Sequence, residues 1–390
     1  MLKKATRQKP DKPRPDFPLT AHANGRWCKK VRGKVHYFGT WEDPDKAMDE
    51  WLDQKDALLA GRKPRKDTGE VTLKDLLNRF LYSKKLTVES GDITERTYNE
   101  YEATCDKISA ALDTSLALVD ITAEDFATLR AALAKGKKKT RGPGTLKGDL
   151  TRARMVFFYA NETGLVDKPL RYRKPLKTPD AKTFRKLAAG RGPRMFEAED
   201  IRTLIDGAPV QLKAMIYLAI NCGFGNTDCA TLSKSALDLK KGCHYHARPK
   251  TGNVRHCPLW PETVAAIQEA IEARPEPSDK ADADLVFVTR FGGRWSNSET
   301  DRDNPISFEF RKLLQAKKLY SKGNGFYSLR RTFETIGATC GEQVAVDYAM
   351  GHIPEASDMS AVYRQKQFNK PLLKVSNHVR GWLLGEIDLN

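Results

Sequence analysis

Long apolar runs are missing from this chain: none approaches the roughly 18–20 residues a membrane-spanning helix needs, which excludes a helical membrane protein. Cysteine is sparse, and Cys28, Cys105, Cys222, Cys229, Cys243, Cys257 and Cys340 follow no framework spacing. A disulfide scaffold is therefore not indicated, and reduced, mostly buried thiols are expected. There is no phosphate-binding P-loop, no Gly-rich dinucleotide fingerprint and no His-Glu-x-x-His, so nucleotide-driven and zinc-protease chemistries find no support. The opening MLKKATRQKPDKPRPDFP is basic and Pro-rich but lacks an apolar core, so it does not read as a signal peptide. Acids are in short supply: 50 Asp and Glu face 67 Lys and Arg, leaving +17. With no basic amphipathic anchor, such an excess points to nucleic acid rather than a membrane surface.

What is there suffices for several cores. A length of 390 residues with 40% hydrophobic content predicts two or three domains. The charge is unevenly distributed. Residues 1–41 hold eleven Lys/Arg and two Asp, and residues 168–194 hold ten Lys/Arg, four prolines and only Asp180. The second stretch reads as a basic interdomain linker, with Arg171, Arg173, Lys174 and Lys177 as candidate phosphate contacts.

Between these clusters the pattern is regular. Arg26–Val31 and Lys34–Gly39 alternate like strands about Arg32-Gly33. A helix with Asp43 as N-cap and Pro44 at its first position follows, carrying Ala47, Met48, Trp51, Leu52, Leu58 and Leu59 on one face. Residues 67–167 read as all-helical, with capping boxes at Thr72/Asp75 and Thr122/Asp125. A basic loop there offers Lys137, Lys138 and Lys139 as further phosphate contacts. From Phe196 the pattern is α+β. Strands are expected at Leu237–Leu239, Cys243–Pro249 and Asn253–Leu259 around a Lys250-Thr-Gly-Asn turn. Helices are expected at Glu197–Ile205, Gln211–Asn221, Pro261–Ala273, Ile306–Lys317, Ser328–Thr339 and Val344–Met350.

Three segments in this last region are distinctive in combination. Residues 327–335 read Tyr-Ser-Leu-Arg-Arg-Thr-Phe-Glu-Thr, residues 350–363 run from Met-Gly-His to Tyr363, and residues 250–259 read Lys-Thr-Gly-Asn-Val-Arg-His-Cys-Pro-Leu. In this order the chain resembles the tyrosine recombinases, or phage integrases, over about residues 71–390. The resemblance implies a small arm-like β-sheet domain (1–66) and an all-α core-binding domain (67–167). A basic linker (168–194) and an α+β catalytic domain with a C-terminal exchange helix (195–390) complete it. It implies double-stranded DNA as partner, a homo-tetramer on DNA, and a cytoplasmic, nucleoid-associated setting for integration or recombination of a mobile element.

The chemistry gives each matched residue a reason. Strand exchange that conserves phosphodiester energy needs a covalent intermediate, and Tyr363 matches the attacking phenol. Arg330 and His352 match donors to the charge gathering on the phosphorane's non-bridging oxygens. Lys250 matches the general acid that protonates the leaving 5′-oxygen. Tyr327 stands where histidine is commonest, and a phenol can still donate to a phosphate. Because cationic side chains carry the charge stabilisation, the resemblance implies no cofactor and no metal.

One departure stands out. The family's first arginine lies in a Thr-Gly-Leu-Arg-x-x-Glu stretch, and aligning Gly223 and the acid Asp228 puts Gly225 in the arginine position. Arg331 or Arg255 is expected to fill the vacancy in an active enzyme; otherwise the chain is a DNA-binding protein whose catalysis has decayed. Cys243, His244, His246, His256 and Cys257 raise a rival zinc reading, but strand alternation lets at most two or three of them converge. Packed cysteines and a DNA-facing histidine account for them better. Finally, Leu373, Val375, Val379, Trp382 and Leu383 give the tail an apolar face expected to dock on a neighbouring subunit.

Overall fold

The computed structural model describes residues 9–59, 70–136, 140–250, 252–296, 305–352 and 369–389, the side chains of residues 56 and 57 excepted. Tyr363, Lys137, Lys138 and Lys139 lie outside the described residues. The buried side chains fall into three separate clusters, within residues 17–58, 73–176 and 196–383.

The first cluster sits between a three-stranded antiparallel meander and one helix. Strands β1 (Thr20–His22), β2 (Arg26–Val31) and β3 (Lys34–Thr40) are in that order, with Trp27 opposite Phe38. The meander buries Trp27, Val31 and Phe38 against Ala47, Trp51 and Leu58 of α1 (Pro44–Leu59). The side chain of Asp43 accepts the Lys46 amide as the expected cap. Leu52 and Leu59 are exposed instead of sharing the buried face. Each lies one residue, about 100° of helix, beyond Trp51 or Leu58, which rotates it off the sheet.

The second cluster is held by α2 (Leu73–Glu89), α3 (Glu95–Ala111), α4 (Ala123–Ala134) and α5 (Pro143–Glu162). Both expected capping boxes are formed, by Thr72 with Asp75 and Thr122 with Asp125. A buried carboxylate, Asp149 of α5, ties this helix to α3 and to the loop before α5 by pairing with Lys107 (2.8 Å) and Arg141, and pairs with Arg152 (3.1 Å) within its own helix. Residues 168–194 are more than a spacer. Leu170, Tyr172 and Leu176 are buried in this helical core, and α6 (Ala181–Ala189), capped by Asp180, follows. The chain turns here, the Leu176 amide bonding to the Tyr172 carbonyl, with these apolar residues facing the core while Arg171, Arg173, Lys174 and Lys177 are exposed.

The third cluster is the largest. Helix α8 (Val210–Cys222) lies at its centre, touched by α10 (Pro261–Ala273) and α12 (Phe326–Ala338), with α7 (Ala198–Gly207), α11 (Pro305–Ala316) and α13 (Gln343–Met350) around it. The short α9 (Asn226–Ala230) follows α8 across a turn in which Gly223 takes φ +66°. The last helix, α14 (Asn369–Leu384), packs on α7, α8, α12 and α13, burying Leu372, Val375, Val379, Trp382 and Leu383 in the core of its own domain. The expected unpartnered apolar face is thus covered within the chain; only Leu373 of the expected set stays exposed.

The expected long strands shrink to β4 (Leu237–Asp238), β5 (Cys243–His244) and β6 (Cys257–Pro258), an antiparallel set in that order. Just beyond their ends Arg255 turns its side chain fully inward, and its Nε donates to the His246 carbonyl at 3.1 Å. Among the described residues all seven cysteines are free and all but Cys340 are buried, and no helix is long and apolar enough to cross a membrane.

Candidate active site

The C-terminus of α13 organises the site. A helix end leaves carbonyls without intrahelical partners and carries partial negative charge, so it attracts cations. Here three guanidiniums converge on it. Arg330, from α12, donates to the carbonyls of Met350 (2.7 Å) and Gly223. Arg255 reaches the carbonyls of Ala349 and Met350, both at 3.5 Å. Arg248 donates to the Gly351 carbonyl at 3.1 Å. Gly351 ends the helix at φ +62°, and a Cβ there would stand 3.0 Å from the Arg248 side chain and 3.3 Å from that of Arg255. Glycine is thus needed twice over, for its backbone and for the arginines beside it.

One carboxylate balances the three. Asp228 of α9 pairs with Arg255 at 2.5 Å through one oxygen and accepts the Gly225 amide at 2.7 Å through the other. Arg255 also lies over the Phe224 ring, 4.5 Å from its centroid. Among the described residues no other carboxylate is paired with these guanidiniums. Burial, and then the neighbouring Arg248, lower the Arg330 pKa from its ordinary value; both reflect cations brought close in a partly dry place. The Arg330 Nε is buried with no hydrogen-bond partner.

The other matched residues stand around this cluster. The turn carrying Lys250 closes through the Gly252 amide to Arg248 O (2.8 Å) and the Arg248 amide to Asn253 O (2.9 Å). Asn253 then donates to the His352 carbonyl at 3.2 Å, so two bonds tie the turn to the 351–352 segment. Lys250 itself is exposed. His352 is half-buried, its Nδ1 lying 3.3 Å from an Asp347 carboxylate oxygen. Tyr327 is half-exposed, and its ring would be 3.7 Å from a Cβ on Gly225.

Neither arginine expected in the Gly225 position simply occupies it. Arg331 is over the Tyr327 ring at 5.5 Å, and Arg255 is committed to Asp228. Asn226 turns away, its Nδ2 donating to Ser307 at 2.9 Å. Sequence reasoning did not single out Arg248, which the structure brings to the same helix end. Its mark in the sequence is its place two residues before Lys250, at the same turn.

The histidines and cysteines divide. Cys222, His244 and Cys257 are buried with ligand atoms within 4.8 Å of one another, so two of the five expected residues meet a third from α8. Burial raises the Cys222 thiol well above its ordinary range and lowers His244 well below. The His246 amide donates to His244 Nδ1 at 3.2 Å, which puts the neutral ring's proton on Nε2, an atom without a partner. That nitrogen offers no lone pair to a cation in this arrangement. The remaining three lie elsewhere: His256 stacks on Tyr245 (5.7 Å), Cys243 contacts the Tyr245 hydroxyl, and His246 faces Thr231.

A second basic surface lies on the helical unit. Lys168, Arg171, Arg173 and Lys174, with Asn161 and Tyr172, line an open cleft of about 850 Å³.

Residues 194–370 match the Phage integrase family. No curated protein matches the chain. Among solved structures, a lambda integrase tetramer bound to a Holliday junction is similar at 18% identity and a TM-score of 0.54, covering 92% of this chain and 99% of that one. A lambda integrase dimer bound to a COC′ core site gives 18% and 0.55, covering 93% and 99%. The Tn1549 transposon integrase in complex with a circular intermediate DNA gives 15% and 0.56, covering 75% and 99%. At these identities the likeness is one of fold.

Proposed function

Because residues 194–370 form a phage integrase family domain within a chain of tyrosine-recombinase fold, we propose that the protein is a site-specific recombinase that cuts and rejoins double-stranded DNA through a 3′-phosphotyrosyl intermediate. The observation that carries this reading is the cluster of Arg248, Arg255 and Arg330, with Asp228 paired to Arg255. Clustered cations attract an anion, and guanidiniums match the geometry of phosphate oxygens. Arg330 and His352 stabilise the phosphorane, Tyr327 adds a neutral donor, Lys250 protonates the leaving 5′-oxygen, and Tyr363 supplies the attacking oxygen. Asp228 holds the Gly225 turn and Arg255 in place. Arg171, Arg173, Lys174 and Lys177, with the loop carrying Lys137, Lys138 and Lys139, neutralise backbone phosphates. Assembly on DNA follows the pattern of the lambda integrase tetramer.

Gly225 supports a second reading, a DNA-binding protein of the same fold without catalysis, since losing one positioned donor costs about 10²–10³ in rate. A single assay separates the two. Duplexes selected from a random pool by the natural protein are nicked beside candidate scissile phosphates and tested for covalent adducts under denaturing conditions. The recombinase reading expects adducts that vanish in Tyr363→Phe while duplex affinity stays within a few-fold. Persistence in Tyr363→Phe would transfer the role to another tyrosine, Tyr348 or Tyr320. No adduct from the natural protein on any nicked duplex leaves the DNA-binding reading.

A further inference from the structure

We propose that Arg248, reaching in from the turn that carries Lys250, supplies the cation that Gly225 cannot, and so is a catalytic residue. The proposal rests on the phosphoryl-transfer reading above and adds to it a side chain that no match to the family's pattern singles out.

Three observations carry it. First, Arg248 and Arg330 donate to successive carbonyls, Gly351 and Met350, at one helix end, Arg330 from a buried position and Arg248 from a half-buried one. Second, the alternatives are occupied. Arg255 is fully buried and bound to Asp228, to the His246 carbonyl and to the Phe224 face. Arg331 lies over Tyr327. Arg248 is half-buried, which leaves it reachable by a phosphate yet partly shielded from water, where a charge-assisted hydrogen bond is strongest. Third, its position is built rather than incidental. Its backbone closes the turn to Gly252 and Asn253, its stem lies against Gly351 where any Cβ would collide, and Asn253 pins the same turn to His352. The cation therefore arrives on the segment that positions Lys250, so one turn brings both the charge stabiliser and the proton donor to the phosphate. In the transition state Arg248 donates to a non-bridging oxygen, without becoming deprotonated, while Lys250 gives its proton to the departing oxygen.

The test has two arms on the full-length protein. In the first, orthovanadate, a tetrahedral oxyanion that needs no DNA sequence, is titrated calorimetrically into the natural protein, Arg248→Gln and Arg248→Lys. Loss of a charge-assisted contact should weaken binding roughly ten- to hundredfold in Arg248→Gln and less in Arg248→Lys. Equal affinity in all three overturns the proposal. In the second, adduct formation is followed on the nicked duplex and on the same duplex with a methylphosphonate at the scissile position. Arg248→Gln should lose about 10²–10³ in rate on phosphate and recover most of it on methylphosphonate, whose phosphorane carries one charge less. A variant equally slow on both would show that Arg248 merely holds Gly351. Vanadate binding that depends on Arg248, with no adduct from the natural protein on any nicked duplex, would sink the recombinase reading while leaving an Arg248 anion site. Rapid adduct formation by Arg248→Gln would do the reverse.

Discussion

Putting an arginine back at Gly225 tests the electrostatic account of the site from the other side. The backbone there is extended, with φ −98° and ψ −178°, so glycine is not required for conformation. A Cβ would stand 3.3 Å from an Asp228 oxygen and 3.7 Å from the Tyr327 ring, so the carboxylate must give by a few tenths of an ångström and the ring not at all. Replacing glycine in such a conformation stabilises the fold by about 0.4–1 kcal/mol through the unfolded chain, which offsets that adjustment. The new guanidinium would compete with Arg255 for Asp228. If Arg248 already supplies the charge, Gly225→Arg in the natural background should leave the cleavage rate unchanged or reduce it several-fold. In the Arg248→Gln background the same substitution should restore about 10²–10³, equivalent to about 2.7–4 kcal/mol of transition-state stabilisation. Such strong non-additivity marks two side chains serving one role. The assay is single-turnover adduct formation on the nicked duplex for the four proteins of the cycle, with thermal melts to show that each folds. A hundredfold gain from Gly225→Arg in the natural background would refute the reasoning, because the position would then have been electrostatically empty.

Neutralising Arg171, Arg173, Lys174 and Lys177 together should flatten the log–log dependence of duplex affinity on salt by up to about four units, and an unchanged slope would remove these residues from the DNA contact. Burial alone would raise the Asp149 carboxyl, but hydrogen bonds and charge from Lys107, Arg152 and Arg141 outweigh it and hold the group below its ordinary value of 3.8. Its stabilisation is therefore full above the unfolded-state value and lost as pH falls through the lower folded one. Asp149→Asn should cost about 1–3 kcal/mol near neutral pH, since the three cations are partly exposed and rehydrate, and the denaturation midpoints of variant and natural protein should converge in strong acid. Removing residues 372–390 strips Leu372, Val375, Val379, Trp382 and Leu383 from the core. Deletion should unfold the third unit rather than only prevent assembly, and Leu372→Ala alone should cost about 2–5 kcal/mol in urea denaturation; a well-folded truncated protein would show that the packing of α14 is dispensable.

Much of the helical framework was legible because its determinants are local. Capping residues such as Thr72, Thr122 and Asp43 act within one turn, and the apolar spacing of a helix face is printed in the chain. Pro261–Ala273 came out with its expected bounds, and the other expected helices of the third unit within two residues at each end. Motif order singled out the Lys250 turn and the 350–352 segment, which the structure ties together through Arg248 and Asn253. Tertiary structure decided the rest, wherever a side chain chose between partners distant in sequence. Whether 168–194 was spacer or core depended on Leu170, Tyr172 and Leu176 finding the helical bundle. The tail's apolar face could have met a neighbour or its own domain, because hydrophobic burial has no direction and only the fold supplies the surface. The hairpin strands end early although burial still alternates through Arg255, Cys257 and Leu259, and only the fold supplies Asp228 and the end of α13 as partners for the Arg255 guanidinium. The grouping of the arginines is of the same kind: only the fold brings Arg248, Arg255 and Arg330 to the carbonyls of residues 349–351 at the end of α13.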